Sequence, residues 1–160
     1  MADKAMDVYL NDHLAGATFG SDLARRIESQ ARGTPMATGA GELAAQIEED
    51  LKTLLDLMKR MGVDRNPVKQ ATTWMAERLS RVKLSGLSSG EHTLGLFLSL
   101  ETLSLGVEGK ASLWRALKVV EDRYPALDSS ELDALIVRAE AQRKTIESER
   151  AAAAKRVFAT

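Results

Sequence analysis

The chain has 160 residues and a formal net charge of −1, which is single-domain size and enough to bury a core without disulfides or metals as staples. It contains no cysteine, so disulfides, thiolate metal sites and thiol nucleophiles are excluded. Near-neutrality argues against action by bulk attraction to nucleic acid or membrane, and an aromatic content of 4%, with the apolar share carried by Leu, Ala, Val and Met, is the composition of helices packed on helices.

The first helix is predicted from about Asp3 to about Arg32, because Met6, Tyr9, Leu10, His13, Ala17, Ala24 and Ile27 recur at three- and four-residue steps. Gly33, Thr34 and Pro35 stop it: glycine supplies the left-handed position past the last turn, and proline cannot continue the helix. Gly16 and Gly20 inside this helix each cost about 1 kcal/mol relative to alanine, which points to close helix contact or a kink. A second face runs from Gly41 through Leu43, Ile47, Leu51, Leu54, Leu55 and Met58 to Gly62. The two helices form a hairpin.

Asn66-Pro67 starts a short third helix that ends near Lys83 and carries Trp74 and Leu79. The pattern Ser88-Ser89-Gly90-Glu91 opens the next helix, with Leu94, Phe97, Leu98, Glu101 and Leu105 on one face. Gly106 and Gly109 interrupt the pattern, and Leu113, Leu117 and Val120 resume it nearly in phase. The stretch reads as one long helix with a kink rather than as a turn. Tyr124-Pro125 ends it, and the capping box Asp128-Ser129-Ser130-Glu131 begins the last helix, with Leu132, Leu135, Ile136, Ala139 and Ile146 facing inward.

Long helices paired at both ends of the chain, with a stretch of about 63–88 between them, predict an all-α, antiparallel four-helix bundle. Two helical hairpins are joined by a crossover carrying a short extra helix, within one domain spanning 1–160. In layout, the chain resembles the ferritin-like four-helix bundle superfamily. Its di-iron members set one Glu on each of two helices and a Glu-x-x-His pair on each of the other two. Here no Glu-x-x-His occurs, and the two histidines are His13 and His92. Glu49 and Asp50 on the second helix are followed by Lys52 and Thr53, and Glu140 is followed by Arg143. The resemblance therefore implies the bundle without its metal ligands.

Glu101 lies within an apolar stripe, where a carboxylate must be paired, hydrogen-bonded or protonated. The expected partner is Arg143 across the bundle, or else His13, which shares a face with Tyr9 and Leu10. A carboxylate metal set made of Glu49, Asp50, Glu101 and Glu140 is the alternative use of these residues. The segment Lys59–Lys83 holds seven basic residues (Lys59, Arg60, Arg65, Lys69, Arg78, Arg81 and Lys83) against two acidic ones, a patch suited to an acidic partner. No aromatics interleave it as a single-strand nucleic-acid groove requires.

The N-terminus is polar and acidic where a secretory signal needs a basic start and an apolar run, and no stretch approaches the roughly 20 apolar residues of a membrane span. A cytoplasmic protein without cofactor is expected. Three functions fit: a non-catalytic interaction or stress-related bundle, with a protein partner or a second copy of itself; a carboxylate-rich metal protein; and a regulator binding an acidic partner or nucleic acid through the basic crossover.

Overall fold

The computed structural model describes residues 3–66 and 89–159, and side chains from residue 92 onward in the second stretch. Among the described residues there are α-helices and no strands: α1 (Lys4–Ala31), α2 (Ala37–Met61), α3 (Ser89–Val119), a 3-10 turn (Glu121–Arg123) and α4 (Ser129–Phe158). At about 1.5 Å per residue the helices are roughly 37 to 47 Å long.

Local chemistry sets their ends. Asp3 caps α1 by accepting from the Met6 amide at 2.9 Å, one of the amides that has no partner inside the helix. Gly33 turns the chain with φ +78°, and Thr34 Oγ1 donates to the Ala31 carbonyl at 2.6 Å while accepting from the Met36 amide at 3.3 Å. This short turn lets α2 start at Ala37, four residues before the Gly41 expected from periodicity, because Met36 and Ala40 are already buried against the core. Gly62, at φ +69°, closes α2 with its amide on the Lys59 carbonyl. Asp128 caps α4 through the Glu131 amide at 2.7 Å. The Glu131 carboxylate reaches across the bundle to Arg60 at 2.7 Å. Gly106 and Gly109 do not break α3, which is one continuous helix.

α1 packs on α2, α3 packs on α4, and α1 lies against α3, while α2 and α4 meet only over a short stretch. Arg60, near the end of α2, donates to the Ala126 carbonyl at 3.2 Å, so α2 ends where α4 begins. Asn11, near the start of α1, holds the segment after α2 by donating to the Asp64 carbonyl at 3.0 Å and accepting from the Asn66 amide at 2.7 Å. At the opposite end Phe97 of α3 meets Phe158 of α4 edge to face at 5.4 Å between centroids. Each hairpin is therefore antiparallel, and α2 and α3 run parallel. The short helix assigned to the crossover, with Trp74 and Leu79, lies outside the described residues.

Leu10, Leu23, Ile27, Leu54, Leu57, Leu100, Leu103, Trp114, Leu132 and Ile146 fill the interior, each burial stabilising by about 1.5–3 kcal/mol. The buried line of α3 differs from the expected one. Leu105 is 54% exposed, whereas Phe97, Leu100, Leu103, Val107, Ala111 and Trp114 are inside. Between Leu94 and Leu105 this helix carries leucines on most of its circumference, so periodicity fits several lines and packing against α1 and α4 selects one. No helix of the described residues is long and apolar enough to cross a membrane.

Candidate functional site

Halfway along the bundle three polar residues take places in three apolar stripes. On α2, Asp50 stands in the buried series Leu43, Ile47, Leu54, Leu57 and Met61, and on α4, Gln142 stands between Ala139 and Ile146. On α3, Lys110 falls between Val107 and Trp114, both buried. The three converge. The Lys110 ammonium binds Asp50 Oδ2 and the Gln142 side-chain carbonyl, and Gln142 Nε2 donates to the same Asp50 oxygen at 3.0 Å. Gln142 Nε2 also reaches Gln46 Oε1 at 3.4 Å. Arg138 lies on Asp50 Oδ1 as an ion pair without an aligned hydrogen bond, and touches Glu49 at 3.5 Å.

Asp50 is 3% exposed and Gln142 1%, so this is a charged network inside the protein. Burial pushes the Lys110 amine below its ordinary pKa, and the charge and hydrogen bond of Asp50 oppose that shift. A buried pair of this kind is worth little net stability, but removing one member is costly because the other is stranded.

The remaining sequence candidates are dispersed. Glu101 and Arg143 do not pair: Glu101 meets Arg150 at 3.4 Å, and Arg143 meets Glu108 at 2.7 Å. The expected pair fails because the inward position of α4 after Ala139 is Gln142, three residues on. Arg143, four residues on, turns toward solvent with its side chain 45% exposed. His13 touches neither residue. It sits edge-on to Tyr9 at 4.6 Å, and burial lowers its pKa against the opposing charge of Asp12.

The four carboxylates of the metal alternative each face a cation: Asp50 has Lys110 and Arg138, Glu49 has Arg138, Glu101 has Arg150, and Glu140 has Arg115 at 3.2 Å. Among the described residues no three His, Asp or Glu side chains come together as a cation site. With their oxygens facing ammonium and guanidinium groups, these four carboxylates do not form the metal set offered as an alternative by the sequence. Of the basic patch, Lys59 and Arg65 are exposed. Arg60 is taken up by Asp56, Glu131 and the Ala126 carbonyl. Lys69, Arg78, Arg81 and Lys83 lie outside the described residues.

Beside the network a cavity of about 340 Å³ opens between α1, α2 and α3, with Asp50 and Lys110 in its wall and His13 and Asp12 also lining it. No family model, curated protein or solved structure matches this chain.

Proposed function

We propose that this chain is a non-catalytic bundle of ferritin-like type, acting as an interaction module without a di-iron centre. The observation that supports this reading is the state of Asp50. It is the one carboxylate among Glu49, Asp50, Glu101 and Glu140 that is deeply buried, and its oxygens are occupied by Lys110, Gln142 and Arg138. Each of its oxygens already faces a cationic group, Oδ2 the Lys110 ammonium and Oδ1 the Arg138 guanidinium, and hard cations bind weakly to isolated acids without imidazole support.

The test is elemental analysis after anaerobic loading with Fe²⁺, Mn²⁺ or Zn²⁺ and desalting. Well under one equivalent should remain. One or more equivalents retained by the wild type and lost in Asp50→Asn would overturn the proposal and favour the metal-binding alternative.

A further inference from the structure

The sides of the bundle are built differently. Each hairpin carries buried alanines, Ala24, Ala31, Ala40 and Ala44 in the first and Ala111, Ala139 and Ala153 in the second, and small side chains allow a short distance between helix axes. α1 also lies along α3, whereas α2 and α4 meet only over a short stretch. Long polar side chains span that remaining side. Arg60 of α2 reaches Glu131 at 2.7 Å and donates to the Ala126 carbonyl at 3.2 Å. From α4, Arg138 reaches Asp50 and, at 3.5 Å, Glu49, while Gln142 donates to Asp50 at 3.0 Å and reaches Gln46 at 3.4 Å.

The bridges at Asp50 differ in kind from the others. Arg60, Glu131 and Glu49 keep a third or more of their side chains in solvent, so their pairs are individually weak and screened by salt. Asp50 is 3% exposed, and its charge is screened much less. It stands on the first hairpin, and its three partners, Lys110, Arg138 and Gln142, all stand on the second. One negative charge thus holds two cations that repel each other.

Loss of that charge leaves little electrostatic attraction between α2 and α4. Lys110 keeps the Gln142 carbonyl, which belongs to its own hairpin, and Arg138 keeps Glu49 at the surface. From α1, Asp12 and His13 line the cavity that Asp50 also lines, but among the described residues no α1 side chain bonds to the network, so the α1–α3 contact does not depend on it. Burial of Leu54 and Leu57, in the stripe of Asp50, and of Leu135, two turns before Gln142, opposes opening. The carboxylate therefore tips a balance between a closed and an open side.

We infer that the two hairpins form a hinged pair, joined along α1 and α3 and parting between α2 and α4 when Asp50 loses its charge, so that this carboxylate is the latch of a conformational switch built into the bundle.

The experiment is pulsed electron-spin distance measurement on the full chain, which has no cysteine of its own and can carry labels at introduced ones. Ala45→Cys with Ala141→Cys reports the α2–α4 side, and Thr18→Cys with Ser112→Cys reports the α1–α3 side; all four positions are exposed. Each pair is measured in the otherwise native chain, in Asp50→Asn, which keeps the side-chain shape without the charge, and in Arg138→Gln, which removes one arm of the latch. Circular dichroism follows helicity. In Asp50→Asn the α2–α4 distance should lengthen by about 5 Å or more, a hinge-type displacement, and in Arg138→Gln by less, while the α1–α3 distance and the helicity stay as in the native chain. In molar salt the native chain should remain closed, because the latch is buried. An unchanged α2–α4 distance in both variants would overturn the proposal. So would lengthening of both distances together, or loss of helicity in either variant, since each would mean general loosening. Opening of the native chain in molar salt would also overturn it, by placing the latch in the surface pairs.

Discussion

Replacing Asp50 by Leu removes the hub of the buried network. Lys110 keeps only the Gln142 carbonyl as a hydrogen-bond partner, with its side chain only 12% exposed. Arg138, 28% exposed, can turn toward Glu49. The loss should be about 3–5 kcal/mol, the cost of stranding one partner of a buried pair. Lys110→Met is milder, at about 2–3 kcal/mol, because Asp50 retains Arg138 and Gln142. The double variant Asp50→Leu/Lys110→Met leaves neither charge unpaired and should cost at least about 2 kcal/mol less than the sum of the single losses. Urea unfolding followed by circular dichroism measures all four proteins. Losses that add to within about 0.5 kcal/mol would refute the claim that the two charges depend on each other. The same series carries a pH signature. Since the folded Lys110 pKa lies below 10.5, the unfolded chain binds more protons between the two values. Its contribution to stability therefore rises with pH through that alkaline window and is lost as pH falls. Lys110→Met should lack that slope.

Acid stability should report His13, whose folded pKa is lowered from 6.5 by burial: stability contributed by the neutral ring is present above pH 6.5 and lost as pH falls through the folded value. Thermal melts of His13→Gln should show a shallower decline below pH 6.5, and an unchanged decline would contradict this. Asn11, 4% exposed, holds the Asp7 and Asp64 carbonyls and the Asn66 amide, so Asn11→Leu should cost about 2–3 kcal/mol in denaturant; a loss under about 0.5 kcal/mol would show the clamp to be dispensable. Glu101→Gln and Arg143→Met should combine additively to within about 0.5 kcal/mol, since each has a different partner, and a coupling of several times that would restore the pairing expected from sequence.

Helices were legible wherever a cap or breaker coincided with a change of periodicity, as at Asp3, Gly33, Gly62 and Asp128. The interior charge of Asp50 is less legible, because the apolar series of α2 and α4 are complete enough to define their faces without the polar residues that interrupt them. Asp50 follows Ile47 by three and precedes Leu54 by four, and Gln142 bears the same relation to Ala139 and Ile146. Both are therefore in register with the core, and a polar residue that interrupts an apolar stripe in register is the signal that marks them. Glu101 falls on an apparent stripe only because α3 is apolar around most of its circumference between Leu94 and Leu105, and packing does not use that line. Whether a glycine brings backbones together or leaves them apart depends on the distance to the neighbouring helix, which no single helix encodes.

The parallel course of α2 and α3 fixes an order of assembly. Each hairpin is joined by a short turn and can collapse locally, whereas docking one hairpin on the other must bring together elements separated in sequence by the stretch between Asn66 and Ser89. Asp50 belongs to the first hairpin, and Lys110 and Gln142 to the second, so their network forms only when the halves meet in the right axial register. A one-turn slip would set a charge against leucine. The network is thus a late checkpoint, and its substitution should accelerate unfolding while leaving the refolding rate nearly unchanged.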